Sequence, residues 1–326
     1  MRRTTLIALL ALAVAGCSSP VVDDAKPSVA VSFYPLQFLA ERIAGDDATV
    51  WSLLPPGAEP HDAEPLPADV ARLERADLFV YHGAGLDPWA ERLAFALPDG
   101  VAFLSATEGL TLLPPEEHDE EHAEGDEHHD DEGGHEDEQD HHDAEEGHEH
   151  GAFDPHVWFD ADAMIAIADE IGAHIADIDP AHAEAYAART AAVQEELRQL
   201  DQRYRQGLAE CARRDIVTAH DAFGYLGRRY DLRVHAIAGL SPEEEPAPDR
   251  LAALSDEVQE LGITTVFFEM LTSSDLAETL AREAGVQTAV LHTLEGLTQE
   301  EQDAGASFIS LMDANLAALR GALDCR

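Results

Sequence analysis

The chain has 326 residues, of which 45% are hydrophobic, and a formal net charge of −46. Residues 116–150 hold 19 Asp and Glu and no Lys or Arg, so the rest of the chain still carries a net charge of −27. This excess of negative charge argues against nucleic acid as a partner and favours cations.

The N-terminus has the pattern of an export signal. The basic start Met1-Arg2-Arg3 precedes an apolar run from Leu6 to Val14, which is too short to span a membrane. The small residues before Cys17 resemble a bacterial lipobox, which implies a signal peptide at 1–16, lipid on Cys17 and a tether at 17–27. The alternative is a plain signal peptide with a chance cysteine. No later run of about 18 apolar residues follows, so the lipid is the expected membrane contact.

If Cys17 carries lipid, two further cysteines remain, Cys211 and Cys325. Outside the cytoplasm such a pair can stay oxidised, which predicts a disulfide between the last helix and the middle of the chain. The alternative is a pair of unrelated buried thiols.

Short apolar, β-branched runs alternate with helical stretches in both halves of the mature chain. The predicted strands are Val29–Phe33, Thr49–Leu54, Leu78–Tyr81 and Val101–Leu104, then Ile216–Thr218, Leu232–Ile237, Thr264–Phe268 and Thr288–Leu291. This alternation is typical of parallel sheets covered by helices. The predicted fold class is therefore α/β, with two lobes that each contain a mostly parallel four-stranded sheet flanked by helices.

Between the two halves, residues 160–211 have apolar residues at helical spacing, with a break at Asp179-Pro180. One long rigid helix is predicted to join the lobes. The predicted domains are an N-terminal lobe at 28–159, a bridging helix at 160–178 and a C-terminal lobe at 179–326.

A histidine-rich and acidic segment interrupts the first lobe at 114–151. Its composition cannot bury a core, which predicts a disordered insertion that collects metal ions weakly. A solvated spacer is the alternative. The candidate ligands are His118, His122, His128, His129, His135, His141, His142, His148 and His150.

Four other polar residues follow predicted strands or lie where the halves join, where ligands of open α/β sheets bind. They are His61, His156, His220 and Glu269. Three imidazoles with a carboxylate or a water suit Zn²⁺, whereas Mn²⁺ favours more oxygen donors. Glu59 competes with Glu269 as fourth ligand, and His82 and His292 occupy similar strand-end positions. We expect acidic neighbours to hold the other ring nitrogens of these ligands: Asp62, Asp154 and Asp221.

Several motifs resemble the metal-specific solute-binding proteins of bacterial ABC importers, in the cluster that includes zinc receptors, over about residues 28–322. The similar segments are Pro56-Gly57-Ala58-Glu59-Pro60-His61-Asp62, Asp154-Pro155-His156-Val157-Trp158, His220-Asp221-Ala222-Phe223-Gly224-Tyr225 and the Gly239–Pro246 loop. A departure from the family pattern is His82, which stands where Asn usually precedes Gly.

The resemblance implies two lobes joined by a rigid helix, with the metal held between them and delivered to a membrane permease driven by a separate ATPase. A histidine at the third position points to zinc rather than manganese. We therefore expect an exported, membrane-anchored zinc receptor that acts as a monomer and is not an enzyme. The rivals are a manganese or other metal receptor, an exported zinc hydrolase and a surface adhesin.

Overall fold

The computed structural model describes residues 26–114, 153–243, 246 and 250–326. Cys17 and the nine histidines of the predicted collecting loop lie outside these ranges. Within them, no helix combines the length and the apolarity that crossing a bilayer requires.

The first lobe contains a parallel four-stranded sheet in the order β2-β1-β3-β4. Helices α1 and α3 contact its two faces through buried apolar side chains. Proline at the start of α1, α2 and α3 suits the first turn, whose N–H groups have no partner within the helix. The elements are β1 (Ser28–Val31), α1 (Tyr34–Ala44), β2 (Thr49–Ser52), α2 (Pro67–Leu73), β3 (Leu78–Tyr81), α3 (Pro88–Ala96) and β4 (Ala102–Ser105).

The second lobe repeats this plan with a parallel sheet in the order β6-β5-β7-β8. Its two central strands, Asp215–Thr218 and Thr265–Phe268, are largely buried and have apolar residues at their centres. The elements are β5 (Asp215–Thr218), α6 (Gly224–Tyr230), β6 (Arg233–Ala236), α7 (Arg250–Glu260), β7 (Thr265–Phe268), α8 (Asp275–Ala284), β8 (Gln287–Val290), α9 (Gln299–Asp303) and α10 (Phe308–Leu323). The predicted fold class of two parallel α/β sheets is confirmed.

Two helices connect the lobes, α4 (Ala161–Ile178) and α5 (Ala183–Gly207). The bridge predicted at 160–178 corresponds to α4, which packs chiefly against α1, β3 and α5. It is α5 that contacts both lobes along its length. Near its start Arg189 donates to the carbonyl of Ile43 at 2.6 Å, and near its end Tyr204 donates to the carbonyl of Met312 at 2.7 Å. The predicted domain limits stay predictions.

One apolar cluster runs from the first lobe through α4 and α5 into the second lobe. It includes Phe33 and Leu39 of the first lobe and Phe267 and Leu319 of the second, all no more than 1% exposed. Because these side chains are close-packed across the junction, the lobes share one core. That core fixes how the carboxyl ends of the two sheets face each other.

The structure joins Cys211 and Cys325 by a disulfide that closes a loop with a sequence separation of 114. The bond ties the end of α10 to the segment after α5. The same two segments also form an isolated antiparallel β-bridge. In the chain-entropy model a loop of this length contributes about 4–5 kcal/mol.

We expect the C211S/C325S double variant to lose about 3–5 kcal/mol of unfolding free energy, because its unfolded chain regains the entropy of the open loop. Urea unfolding of the zinc-free protein measures this loss. Reducing agent should bring the original protein close to the variant and leave the variant unchanged. Two free thiols in the unreduced native protein would rule the disulfide out.

Candidate metal centre

Four loops meet where the carboxyl ends of the two sheets face each other. His61 follows β2, His220 follows β5, Glu295 follows β8, and His156 lies just before the helical turn Val157–Phe159 that leads into α4. Parallel strands place their following loops at the same edge of a sheet, so loops from two such sheets share one cleft.

Backbone contacts hold the two sides of this cleft together. The N–H of Gly57 in the His61 loop donates to the carbonyl of Leu297 at 2.8 Å. Beside it, Gly296 approaches so closely that a Cβ atom there would lie 3.1 Å from the carbonyl oxygen of Ala58. The loops that carry His61 and Glu295 are therefore in direct contact.

The Nε2 atoms of His61, His156 and His220 converge on Oε1 of Glu295, at 3.5, 3.5 and 3.7 Å respectively. One ligand atom from each residue lies within 4.8 Å of all the others. His156 and His220 are 0% exposed and Glu295 is 2% exposed. Three nitrogens and one oxygen thus surround a space the size of a single ion.

These four atoms are buried and have no hydrogen-bond partner within the described ranges. Distances of 3.5 Å and more exceed those of ordinary N–H···O hydrogen bonds. A buried polar atom without a partner costs about 1–3 kcal/mol, and four at one point call for a common partner. A cation between them supplies it, since each atom offers a lone pair.

Carboxylates hold two of the imidazoles from behind. Oδ1 of Asp154 accepts from both the backbone N–H and Nδ1 of His156, at 2.9 and 2.7 Å. Glu269 accepts the N–H of His220 on Oε1 at 3.1 Å and the Nδ1–H on Oε2 at 2.6 Å. When each ring is neutral with its hydrogen on Nδ1, its Nε2 has a free lone pair that points toward the centre and can bind a cation.

The position of Glu269 differs from the sequence-based expectation of a fourth ligand. Its carboxylate occupies the far side of the His220 ring, and the carboxylate at the centre belongs to Glu295, which the sequence analysis missed. Glu295 stands four residues after Leu291, the end of the last predicted strand. The expectation that ligands follow strand ends therefore included this loop. The residue considered there was His292, because it is the first polar residue after the strand.

Glu59, the other competitor, turns toward its own loop. Its carboxylate accepts the backbone N–H groups of His61 and Asp62 at 3.0 to 3.3 Å, and its Oε1 is 3.9 Å from Nε2 of His61. Burial raises the pKa of this carboxyl, and the nearby Glu295 raises it further. Glu59 thus borders the centre without belonging to the converging group.

The remaining described histidines lie outside the group and have other partners. His82 donates from Nε2 to the carbonyl of Pro155, and His292 accepts the N–H of Leu294 on Nδ1. The other three bond to acids or to a helix carbonyl: His174 to the carbonyl of Glu170, His182 to Asp179 and His235 to Asp215.

The charges of the cluster depend on one another in the metal-free protein. Burial disfavours the charged form of His156, but the hydrogen bond with Asp154 and the nearby negative charge of Glu295 outweigh burial and raise its pKa to about 9. Burial likewise opposes charging of His220, and the adjacent Glu269 still raises its pKa well above 6.5. The imidazoles hold the pKa of Glu295 well below its usual range despite its burial. Protons therefore occupy the centre when no metal does.

Three imidazole nitrogens and one carboxylate oxygen form a four-coordinate donor set of the kind that suits Zn²⁺. Manganese and magnesium favour oxygen-rich, six-coordinate sites, which this set does not provide.

Comparison with known proteins identifies the family of this chain. A family model described as ZnuA, zinc-uptake complex component A periplasmic, matches residues 29–322. The zinc-binding lipoprotein AdcA of Streptococcus pneumoniae strain R6 is 38% identical over 323 residues, which cover 98% of this chain and 60% of AdcA. The chain thus spans less than two thirds of the length of that relative.

Two further relatives match over nearly their full length. The high-affinity zinc uptake system protein ZnuA of Bacillus subtilis is 37% identical over 325 residues, covering 98% of this chain and 96% of the relative. The crystal structure of the Zn(II)-bound ZnuA-like domain of S. pneumoniae AdcA superposes with a TM-score of 0.72 at 35% identity, covering 92% of this chain and 99% of that domain. With the family match over residues 29–322, these relationships show that the chain belongs to the ZnuA family.

Proposed function

We propose that this protein is an extracytoplasmic receptor that captures Zn²⁺ between its lobes through His61, His156, His220 and Glu295. The observation that carries the proposal is the convergence of four buried donor atoms, none of which has a hydrogen-bond partner among the described residues. Membership of the ZnuA family supports it, as do relatives whose names describe zinc binding and zinc uptake.

The captured ion is delivered to a membrane permease that a separate ATPase drives. The family description of an uptake-complex component supports this partner class. The lipobox-like segment ending at Cys17 supports anchoring of the receptor by lipid, and the AdcA relatives are named lipoproteins. The receptor therefore acts at the outer face of the membrane that holds its importer.

The histidine-rich segment serves as an auxiliary collector. Nine imidazoles among acids offer many weak arrangements for zinc, and fixing each residue costs about 1–2 kcal/mol, which disfavours one tight geometry. The segment reaches the described part of the chain at Phe153, three residues before His156. The segment that would hold these ions is thus close in sequence to His156 of the proposed tight site.

A zinc hydrolase also uses three protein ligands, but it keeps a fourth position open for water. Here Glu295 supplies a fourth donor atom from the protein. A complete protein donor set favours holding the ion over activating water, and the names of the relatives describe zinc-binding and uptake proteins.

The proposal assigns different roles to Glu295 at the centre and to Glu269 behind the His220 ring. We expect E295A to weaken zinc binding more than about 100-fold because it removes a ligand, and E269Q to weaken it about 10–100-fold because it releases the His220 ring. Competition titration against a chromophoric chelator measures both, and the original protein should hold zinc in preference to manganese.

The matched control is H174A, which removes an imidazole on the outer face of α4 and should leave zinc affinity unchanged. Full affinity in E295A together with its loss in E269A would reassign the fourth ligand. Stoichiometric manganese held in preference to zinc would overturn the zinc assignment.

Zinc affinity should rise with pH between about 6 and 9. The pKa of His156 is raised to about 9 and that of His220 lies well above 6.5, so zinc must displace protons that the metal-free centre holds at neutral pH. Each proton released steepens affinity by up to about tenfold per pH unit. Calorimetry in two buffers of different ionisation enthalpy counts these protons.

The stability of the metal-free protein should follow the opposite trend. A folded-state pKa above the unfolded value stabilises the fold fully below about pH 6.5, and His156 loses this contribution as the pH rises through about 9. D154N removes a cause of the raised pKa and should release fewer protons at pH 8. Zinc affinity that stays constant from pH 6 to 9 would contradict this account.

Deletion of residues 116–150 should leave one tight zinc site and remove the weaker ones, because the four central donors lie outside that segment. Zinc titration with separate tight and weak phases, compared with the full chain, tests this. Replacing the nine histidines by asparagine at unchanged length is the matched control. Loss of the tight site in both variants would place that site in the segment.

A further inference from the structure

The turn Asp154-Pro155-His156 carries the second proposed zinc donor and is bound on both sides by side chains from different lobes. The ring of His156 is fixed to Asp154, so wherever this turn moves, the donor Nε2 moves with it. What holds the turn therefore decides where the donor stands.

His82 holds the turn from the first lobe. It follows β3, is 1% exposed, and its Nε2 lies 2.7 Å from the carbonyl oxygen of Pro155. A carbonyl only accepts, so Nε2 carries the hydrogen and donates it. Nδ1 is buried without a hydrogen-bond partner among the described residues, so the ring makes this single hydrogen bond.

The ring of His82 is itself held in place. It packs edge-on against Phe33 and Trp158, with ring centroids 5.1 and 5.5 Å apart. Its backbone N–H donates to Oδ2 of Asp87 at 2.8 Å, and its carbonyl accepts from the hydroxyl of Thr107 at 2.9 Å. His82 is thus a fixed point of the first lobe.

Tyr225, from the second lobe, binds the carbonyl of Asp154, which precedes that of Pro155 in the turn. Its hydroxyl, on α6, donates to the carbonyl oxygen of Asp154 at 3.1 Å and accepts the N–H of Leu113 at 2.9 Å. The neighbouring Gly224 leaves room for this approach, since a Cβ there would lie 2.7 Å from Oδ2 of Asp154. Tyr225 stands five residues after His220, so it also links the turn to the third donor.

We propose that His82 and Tyr225 are positioning residues for the zinc donor His156, which they fix to both lobes at once through two consecutive carbonyls. The inference rests on the proposed function as a zinc receptor. Neither side chain belongs to the converging donor group, so both act through the turn and not as ligands.

The physical basis is that a metal site binds tightly when its donors already stand in the bound geometry. With either hydrogen bond removed, one of the two carbonyls of the turn loses its side-chain anchor, and the ion must order the turn further on binding. Outer groups that orient metal-binding histidines typically contribute about 10–100-fold in affinity.

The test uses the full chain with H82F, which keeps a packed ring but lacks the donor, and with Y225F, which lacks the hydroxyl. We expect each variant to weaken zinc binding at least about tenfold and to change the visible spectrum of the Co²⁺-loaded protein, which reports donor geometry. H82Q, whose amide can donate in place of Nε2–H, should recover affinity relative to H82F.

A double-mutant cycle separates positioning from general stability. In an H156A background, H82F and Y225F should have little further effect on residual zinc binding, because the donor that they position is gone. Y186F is the matched control: it removes a hydroxyl that donates to Asp179, and should leave zinc affinity unchanged even if the melting temperature falls.

Zinc affinity within twofold of the original protein in H82F and Y225F would overturn the inference, as would equal losses in the H156A background. If H82F does not fold, Y225F and H82Q decide the outcome by the same criteria. Failure of the proposed function is a separate result, seen as an original protein that binds no zinc or an H156A variant that binds it with full affinity.

Discussion

The central constraint on this protein is that four electron-pair donors face one another in a buried space. Three imidazole nitrogens and one carboxylate oxygen have no hydrogen-bond partner there among the described residues. In the metal-free protein, Asp154 raises the pKa of His156 and Glu269 raises that of His220, and the charge of Glu295 raises both further, so protons offset this arrangement. A cation supplies a partner to all four donor atoms at once. The stability of the fold and the binding of the metal thus depend on the same four atoms.

The rest of the fold holds these donors at fixed distances. Two parallel sheets direct their carboxyl ends toward one cleft, and a shared apolar core with α5 along it sets their relative position. Links across the cleft add to this frame, since Trp158 donates to the carbonyl of Thr293 at 2.7 Å, two residues before Glu295. The second donor is therefore tied both to the first lobe through His82 and to the loop that carries the fourth donor.

The sequence was informative where local pattern and chemistry agree. All eight strands were predicted close to their observed positions because each contains a short run of apolar or β-branched residues. Three histidines were predicted as donors because each follows a strand or stands at the junction of the halves, and their Nε2 atoms lie close together in the structure. The pairing of Asp154 with His156 was also expected, since a residue two positions away can readily reach the ring. These features depend on residues close together in the chain.

The carboxylates required the tertiary structure. Glu269 and Glu295 both follow strands of the second sheet, and nothing in their local sequence says which of them reaches the centre. The packing of β5 beside β7 places Glu269 behind the His220 ring, while the loop after β8 carries Glu295 to the front. Two other features also depend on residues far apart in the chain. They are the contact of α5 with both lobes and the buried hydrogen bond of His82 to Pro155. The sequence by itself determined the fold class and predicted three histidines as candidate donors. Only the tertiary structure decided which carboxylate lies beside them, because that depends on distances between residues far apart in the chain.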